Sequence, residues 1–411
     1  MKTGATSGPP DSKKRLNRFT TSVQTSLCPS PGRCFSSSAN RPADVLVDVD
    51  SASRAAAYTE KDFMYGVGIL GNCCTHGAGT AGQFAAHPRT WVVTGYEPRE
   101  QRAGELQRAM QAPLAASYEA VVDHAQVEIL ALATDPCDKA EMVELAARAG
   151  KALWINKPLC HNPAAARRIE EQVRAAGVPA VFDVPMVKFQ PAFDKLLHQV
   201  RAELYGQVVS YYHTFGMTFA QDFPIRETWP ERFDPAATAG GGEMTNMGCY
   251  AIDYALHLLG VPRRVEARWQ KFWRPYVEAD VENFGQICLD YGRFWAVLSV
   301  GKQAVEGQRG PRNALTVEFE GANFFLDPGA GLVVETGRAR PLDDYLDGHQ
   351  CPSSIDQLLA ALEGGPAPQS DIATAARGVE VLCGAYQSIL EERPVDLPLT
   401  RAKNPLFESS S

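Results

Sequence analysis

The 411-residue sequence lacks any apolar run that approaches the roughly 20 residues a membrane-spanning helix requires. It also lacks an excess of positive charge: the formal net charge is −8, and the folded part carries no extended basic patch that would bind nucleic acid. The ten cysteines do not form the repeated C-x-x-C pairs typical of metal sites. We therefore expect no membrane, nucleic-acid or metal partner, and reduced thiols suited to the cytoplasm.

The N-terminal segment, residues 1–62, lacks acidic residues from Ser12 to Ala43 and is rich in Ser, Pro and Arg. This composition is typical of a disordered leader and resembles a transit peptide, but it has no apolar core of the kind found in secretory signals. Met64, directly before the first apolar strand, is an alternative start. We favour a non-functional extension over organelle targeting, and a cytoplasmic protein.

After the leader, short apolar segments alternate with helical ones. This alternation predicts an α/β fold with a parallel, doubly wound sheet, and we assign a Rossmann-type dinucleotide-binding domain to residues 63–184. Ligands bind such sheets beyond the carboxyl ends of the strands. The five predicted strands are Tyr65–Leu70, Thr90–Tyr96, Val127–Thr134, Ala152–Ile155 and Val178–Val184.

A loop of small residues follows the first strand from Gly71, and Glu97 stands 26 positions later, at the end of the second strand. In dinucleotide sites backbone N–H groups and a helix N-terminus hold the pyrophosphate, while a carboxylate binds the ribose hydroxyls. The loop departs from G-x-G-x-x-G because Cys73 and His76 stand where glycines would be required. The predicted cofactor-binding residues are Gly71, Cys73, Thr75, His76, Gly77, Glu97, Arg99, Thr134, Asn156 and Lys157.

Two readings of cofactor choice stay open. Glu97 would bind the ribose hydroxyls and repel a 2′-phosphate, which favours NAD. Arg99 and Arg102 lie within about one helical turn and could instead clamp the 2′-phosphate of NADP. We lean towards NAD because the carboxylate is closer to the strand end.

The run GGGEMTNMGCYAID at Gly240–Asp253 opens a predicted helix that is closed by Gly260. On that helix, side chains spaced four, three and four residues apart share one face, namely Asn246, Tyr250, Asp253 and His257. Upstream, Lys157 ends the fourth strand at the crevice, and Pro158 holds it in a turn. A lysine in this position indicates a functional role more than a solvated surface charge.

These landmarks resemble the glucose–fructose oxidoreductase and inositol dehydrogenase family (Gfo/Idh/MocA), from about Tyr65 to Pro398. The order and spacing of the motifs carry the resemblance more than any single motif does. The matching segments are VGILG at the first strand, AAHP at Ala85–Pro88, AGKALWINKPL at Ala149–Leu159, KFQPAFDKL at Lys188–Leu196, GGGEMTNMGCYAID, DVENFGQICLDYG at Asp280–Gly292 and RPVDLP at Arg393–Pro398.

The resemblance implies a catalytic apparatus. The lysine of the family's E-K-P motif is Lys157, which would hydrogen-bond the substrate hydroxyl. The acid–base residue of D-x-G-x-[H/Y] is Tyr250, whose pKa we expect a nearby ammonium and the oxidised nicotinamide to lower. Asn246 stands where the family motif has its aspartate; it would orient the substrate hydroxyl but cannot accept a proton at neutral pH. The chain departs from the family at three further points: Asn156 replaces the glutamate of E-K-P, Asp135 replaces a proline, and Lys139 replaces a histidine.

The remainder, residues 185–411, is predicted to form an α+β domain with a mostly antiparallel open sheet. In the family such a sheet commonly forms a subunit interface, which implies a homodimer or homotetramer. The predicted substrate residues are Lys188, Trp229 and Arg232, whose cationic and aromatic side chains suit a hydroxyl-rich substrate, together with the acid Asp253.

The expected function is an NAD(P)-dependent oxidoreductase acting on a secondary hydroxyl or ketone of a sugar, polyol or related cyclic alcohol. Two alternatives remain. The first is a cofactor-retaining enzyme of the same fold that epimerises a sugar or cleaves a glycoside. The second is a non-catalytic NAD(P)-binding sensor, suggested by the asparagines at positions 246 and 156.

Overall fold

The computed structural model describes residues 64–184, 189–234, 241–307 and 310–408. The N-terminal leader and Lys188, one of the predicted substrate residues, lie outside these ranges. Within them, no helix is both long and apolar enough to cross a membrane.

A five-stranded sheet forms the first half of the described chain. All its strands are parallel, in the order β2-β1-β3-β4-β5, so the doubly wound sheet is confirmed. The strand order reverses between β1 and β3, and their carboxyl ends flank the crevice. The elements are β1 (Tyr65–Leu70), α1 (His76–Ala86), β2 (Thr90–Tyr96), α2 (Glu100–Met110), α3 (Tyr118–Val122), β3 (Ile129–Leu132), α4 (Lys139–Arg148), β4 (Ala152–Asn156), α5 (Pro163–Ala176) and β5 (Ala180–Asp183).

The central strands of this sheet are covered on both faces, as the continuous apolar sequences of β3 and β4 require. Strand β3 is shorter than the predicted Val127–Thr134. The Val127 N–H bonds back to the carbonyl of His124, 3.0 Å away, so the chain is still turning there and pairing with β1 and β4 begins at Ile129.

A nine-stranded sheet forms the second half, in the order β13-β12-β11-β10-β6-β9-β8-β7-β14. Only β6 and β9 pair in parallel, so the predicted, mostly antiparallel sheet is confirmed. Its strands are β6 (Val208–Phe219), β7 (Arg264–Gln270), β8 (Phe284–Asp290), β9 (Trp295–Ala304), β10 (Gly310–Phe319), β11 (Asn323–Asp327), β12 (Leu332–Glu335), β13 (Arg338–Pro341) and β14 (Val395–Asp396).

Further helices follow the five-stranded sheet, and two of them pack on the nine-stranded sheet. In the described ranges they are α6 (Phe189–Arg201), α7 (Ile225–Thr228), α8 (Glu243–Leu259), α9 (Arg274–Glu278), α10 (Leu342–Leu346), α11 (Ser354–Leu362), α12 (Ile372–Glu391) and α13 (Pro405–Glu408). Helix α8 lies against β9 and β6, and α12 packs against both α8 and α5. Assignment of the two domains to residues 63–184 and 185–411 stays a prediction.

The start of α8 is fixed by a buried carboxylate. Glu282 accepts hydrogen bonds from the N–H groups of Gly242 at 2.8 Å and Met244 at 3.1 Å, which satisfies donors that a helix N-terminus leaves free. A side chain at position 242 would collide with the carbonyl oxygen of Glu282, 2.2 Å from its Cβ. The glycine run therefore lets the helix begin close to the crevice, and Gly260 follows its last residue with a φ of +78°.

Candidate active site

A cleft lies at the carboxyl ends of β3 and β4, between the loop after β1 and the first turns of α8. Five of the ten predicted cofactor residues and two of the three predicted catalytic residues line it. It is lined by Cys73, Cys74, His76, Ala133, Thr134, Pro136, Asn156, Lys157, Pro158, Glu231, Arg232, Gly241, Gly242, Glu243, Thr245 and Asn246.

Lys157 follows the last residue of β4 and is buried, with 3% of its surface exposed. Beneath it, the Nζ of Lys139 donates hydrogen bonds to the carbonyl oxygens of Asn156 and Pro158, the two residues that flank Lys157. Burial lowers the pKa of Lys139 to about 8 and also lowers the pKa of Lys157. Lys139, which stands where the family has a histidine, thus holds the turn that carries Lys157.

The Lys157 ammonium donates a hydrogen bond to Asn246 Oδ1 at 2.7 Å. The amide Nδ2 of Asn246 in turn donates to Glu243 Oε2, also at 2.7 Å. Glu243 and Asn246 are three residues apart and therefore neighbours on the surface of α8. A continuous chain of hydrogen bonds joins the end of β4 to the first residue of α8.

Glu243 is a buried anion with several partners. Its Oε1 accepts from the Tyr276 hydroxyl at 2.5 Å and lies 3.2 Å from Lys302 Nζ and 3.7 Å from Arg232. Burial opposes ionisation of this carboxyl, but Lys302 and Arg232 together hold its pKa below the usual value. Burial also lowers the pKa of Lys302, to about 7.

Tyr250 lies one turn further along α8. Its ring stacks on Phe215 with centroids 4.8 Å apart, and the Lys157 Nζ lies 4.9 Å from its ring centre. Burial, followed by the neighbouring Cys249 and Asp183, raises the pKa of Tyr250 well above its usual value. This is opposite to the lowering expected from the sequence, because within the protein desolvation outweighs the nearby positive charges. The phenol is therefore neutral.

The loop after β1 brings the N-terminus of α1 to the cleft. A Cβ on Gly71 would lie 2.6 Å from Thr134 Cα, and a Cβ on Gly77 would lie 2.1 Å from the Gly71 carbonyl oxygen, so both glycines are required by close packing. Cys73 and His76 line the cleft, whereas Thr75 is exposed at the N-cap of α1 with a φ of +68°. The glycines of the G-x-G-x-x-G pattern at positions 73 and 76 can be replaced, because the close backbone contacts that exclude a side chain are at Gly71 and Gly77.

Glu97 lies at the predicted strand end, but its carboxylate is already engaged. It accepts from the Asn72 N–H at 2.6 Å, from the Arg99 N–H at 3.0 Å and from the Arg99 guanidinium at 2.6 and 3.0 Å, and its side chain is 0% exposed. The same guanidinium also bonds Asp135 at 3.2 Å. Arg99 therefore cross-links the ends of β2 and β3, and Asp135, the departure from the family proline, is its second anchor.

These residues fit a dinucleotide. The N-terminus of α1 lies at the cleft, where the helix dipole favours a pyrophosphate, and Glu97 lies where a ribose carboxylate is required. The loop N–H groups of Asn72, Cys73 and Thr75 already donate within the protein. Thr134 Oγ1 is buried in the cleft wall without a hydrogen-bond partner among the described residues, so a polar group of a bound ligand would satisfy it.

The segment Pro230–Phe233 closes the cleft on the side of α2. Arg102 of α2 binds Glu231 through two hydrogen bonds of 2.5 and 2.9 Å, both buried. Arg232 lines the cleft, and its guanidinium lies 4.8 Å from the ring centre of Trp229, whose indole Lys302 also approaches at 5.1 Å. The predicted substrate residues Trp229 and Arg232 thus lie together next to Glu243.

Two family models match consecutive parts of the chain. The one described as an oxidoreductase family with an NAD-binding Rossmann fold matches residues 65–183, and the one for the GFO/IDH/MocA C-terminal domain matches residues 193–323. The chain belongs to the Gfo/Idh/MocA oxidoreductase family. The resemblance seen in the motifs is confirmed, and with it an NAD-binding Rossmann fold.

The trans-1,2-dihydrobenzene-1,2-diol dehydrogenase of Sus scrofa is 24% identical over 193 residues, which are 46% of this chain and 53% of that protein. The chain thus matches about half the length of this curated relative. Levoglucosan dehydrogenase, solved with NADH and levoglucosan, has a TM-score of 0.68 at 16% identity and covers 82% of this chain and 100% of its own. The WlbA dehydrogenase of Bordetella pertussis, solved with NADH and UDP-GlcNAcA, has a TM-score of 0.68 at 17% identity. The match covers 82% of this chain and 99% of that one. These structures share the Gfo/Idh/MocA fold.

The helix face predicted to be functional divides between two cavities. Asn246 lines the cleft, but Asp253 and His257 line a second cavity between α6, α8 and the residue 351–370 segment. Asp253 Oδ1 is buried there without a hydrogen-bond partner among the described residues. The structure therefore does not place Asp253 with Lys157, as the substrate assignment from the sequence would require.

Sequence reasoning missed Glu243, Lys302 and Glu231. For Glu243 a signal existed in the sequence. It precedes Asn246 by about one helical turn, so its carboxylate lies on the same side of the helix as the position where the family has an acid. Lys302 lies on β9 and Glu231 in a short 3₁₀ turn, both far from Lys157 in sequence. Only the assembled fold brings these charges to the family's cleft.

Proposed function

We propose that the protein is an NAD(P)-dependent dehydrogenase or reductase that transfers hydride between the nicotinamide and a secondary hydroxyl or ketone of a sugar, polyol or related cyclic alcohol. One observation carries the proposal: the buried Lys157 ammonium faces the cleft, 2.7 Å from Asn246 and 4.9 Å from the centre of the Tyr250 ring. A lysine and a phenol so arranged can polarise a substrate oxygen and exchange its proton. The names of the levoglucosan and dihydrodiol dehydrogenases support a hydroxyl-bearing substrate.

When bound, the nicotinamide would accept or supply the hydride. Lys157 has three N–H donors, of which Asn246 uses one, so the others can bond the substrate oxygen. Burial keeps the Tyr250 phenol protonated, which suits it to donate a proton to the oxygen when a ketone is reduced. In the oxidation direction the hydroxyl proton returns to Tyr250 along the same path, while the Lys157 ammonium holds the substrate oxygen in both directions.

We propose NAD as the preferred nucleotide because Glu97 stands at the ribose end of β2 and would repel a 2′-phosphate. The ribose hydroxyls would have to share this carboxylate with Arg99, which already bonds it. Both cofactors therefore belong in the first binding experiment.

A second candidate is an enzyme that retains its cofactor and oxidises and re-reduces one sugar during epimerisation or glycoside cleavage. The buried Arg102–Glu231 pair supports it, because it ties the segment Pro230–Phe233 across the cleft to α2. Opening this closure would leave two buried charges unpaired, which would slow cofactor release.

Titrating the purified protein with NAD(H) and NADP(H), and then screening sugars, polyols and cyclic alcohols by nicotinamide absorbance, tests these proposals. Net turnover of cofactor with substrate supports the dehydrogenase. Co-purified cofactor with substrate conversion but no net change in absorbance supports the cofactor-retaining enzyme. Binding without conversion of any substrate contradicts both and leaves the non-catalytic sensor.

We also propose a cytoplasmic homodimer or homotetramer that associates through the nine-stranded sheet. Large apolar side chains on this sheet are exposed: Tyr212 on β6 by 52% and Trp295 on β9 by 44%. A paired face would remove such surface from water. Light scattering coupled to size-exclusion chromatography measures the mass; a monomer at micromolar concentration would contradict the proposal.

A further inference from the structure

We propose that Glu243, the first residue of α8, is the positioning carboxylate of the reaction centre: acting through Asn246, it orients Lys157 and takes the part that the family gives to the acid at position 246. The inference rests on the proposed function of Lys157. It adds to that function a residue at a position outside the family motif.

The first argument is the orientation of the Asn246 amide. A carboxylate can only accept hydrogen bonds, so Glu243 requires the amide nitrogen of Asn246 to face it, at 2.7 Å. The amide oxygen is then turned towards Lys157, whose ammonium can only donate. The opposite orientation would set two donors against each other at Lys157 and two acceptors at Glu243. Glu243, which can only accept, therefore fixes the neutral asparagine in the useful orientation.

The second argument is the fixed charge. Glu243 is 1% exposed and is accompanied by Lys302 at 3.2 Å and Arg232 at 3.7 Å, so it stays ionised in a medium of low dielectric. Two hydrogen bonds separate this negative charge from Lys157, one from Asn246 to Glu243 and one from Lys157 to Asn246. Both donate towards Glu243, so each strengthens the other. An acid at position 246 would bring that charge next to the lysine; this chain has it one helical turn earlier.

The third argument is that acids at positions 243 and 246 exclude each other. A carboxylate at position 246 would face Glu243 across the 2.7 Å contact that the amide now makes, and two anions at this distance cannot both be ionised. Glu243 and an aspartate at position 246 are therefore alternatives. The asparagine is the residue that Glu243 requires.

The test measures the titration of Lys157 in the full chain, without any substrate. Lysines are methylated with formaldehyde and a borane reductant across a pH series, and mass spectrometry gives the pH at which each becomes reactive. We expect this midpoint to fall for Lys157 in Glu243→Gln and to return towards the wild-type value in Glu243→Gln with Asn246→Asp. Lys139, which is buried but bonded to backbone carbonyls, is the internal control and should keep its midpoint.

Kinetics provide a second readout once a substrate is known. Glu243→Gln should lower kcat about tenfold with little change in KM, the scale of one charge-assisted hydrogen bond, and the double variant should recover most of that loss. The labelling and the kinetics fail separately: a shifted Lys157 midpoint without turnover of any substrate would sustain the role of Glu243 and contradict the proposed function.

Three results would overturn the inference: an unchanged Lys157 midpoint in folded Glu243→Gln, an equal shift of Lys139, or no recovery in the double variant. The last would show that Glu243 serves only as counter-ion to Lys302. Circular dichroism establishes folding. If Glu243→Gln does not fold, Glu243→Asp is used instead, because aspartate keeps the charge but is too short to hold the Asn246 amide. A Lys157 midpoint that does not fall in Glu243→Asp also overturns the inference.

Discussion

The two halves of α8 carry acidic side chains in opposite electrostatic states. In the first turn, Glu243 is surrounded by Lys302, Arg232 and Tyr276, and its pKa is held below the usual value although burial opposes this. Three turns later Asp253 is also buried, and burial raises its pKa to about 8. The imidazole of His257 lies 3.6 Å away, but burial lowers the pKa of His257, so this ring is uncharged near neutral pH. One acid is an ion near neutral pH and the other is protonated.

The difference shows what helical spacing does and does not predict. Spacing correctly places Asn246, Tyr250, Asp253 and His257 along one side of α8. It carries no information about what each position faces. The first half of the helix meets the end of β4 and its lysine, whereas the second half meets α6 and a separate cavity. The helix is therefore divided along its length, with its first half at the cleft and its second half at the other cavity.

Removing the lysine that the first half of α8 faces should have the largest effect. Lys157→Ala should lower kcat roughly 10²-fold or more, because the substrate oxygen loses its cationic partner, while NAD(H) affinity should change little. Steady-state kinetics and fluorescence titration of NADH measure the two quantities. Lys151→Ala, at the opposite end of β4, is the matched control because its Nζ bonds only the carbonyl of Val127 in the described chain. Near-normal kcat in Lys157→Ala would remove this residue from the mechanism.

Removing the hydroxyl of Tyr250 tests the same half of the helix. Tyr250→Phe keeps the ring that stacks on Phe215 and faces Lys157, so only the proton donor is lost. We expect kcat to fall roughly 10²-fold, the usual scale for a positioned acid–base group. Tyr211→Phe, a buried phenol on β6 that bonds His213, is the control. Near-full activity of Tyr250→Phe would assign the proton to another group.

The second half of the helix should reveal itself in stability instead. Burial raises the pKa of Asp253 from its usual acidic value to about 8, so the contribution of this group to stability is fully present below about pH 4 and is lost as pH rises through 8. Asp253→Asn cannot ionise, so it should be the more stable protein at pH 8, by roughly 1–3 kcal/mol, and nearly equal at pH 4.

Urea unfolding of both proteins at pH 4, 6 and 8 measures this difference. A stability difference that does not change over this range would mean that Asp253 is not protonated in the folded protein. A loss of activity in Asp253→Asn as large as that in Tyr250→Phe would return Asp253 to the substrate site, as the sequence suggested.

Much of the fold could be predicted because its signals are local. Continuous apolar strands such as Ala152–Ile155 are typical of a sheet covered on both faces, and the motif order fixed the family. The position of Lys157 in the crevice followed from the strand end. Charge pairing did not follow, because the partners come from distant segments: Lys302 reaches Glu243 from β9, and Glu231 reaches Arg102 across 129 residues.

Desolvation was the second quantity hidden from the sequence. We expected charges to lower the pKa of Tyr250, but its side chain lies between Phe215 and the helix, and burial acts more strongly in the opposite direction. The charge of a residue can be read from a sequence, whereas its exposure to water depends on the whole fold.

The smallest predicted effect concerns a third buried carboxylate, that of Glu97. Arg99, two residues later in the chain, forms an ion pair with it. Arg99→Ala would release the carboxylate to the ribose hydroxyls, so the ratio of kcat/KM for NAD over NADP should rise, by roughly fivefold for a gain of about 1 kcal/mol. Arg108→Ala, an exposed residue of α2, is the control. If the wild-type protein instead prefers NADP and Arg99→Ala abolishes that preference, Arg99 binds the 2′-phosphate. Glu97 would then serve to hold Arg99 in place, as Glu243 holds Asn246.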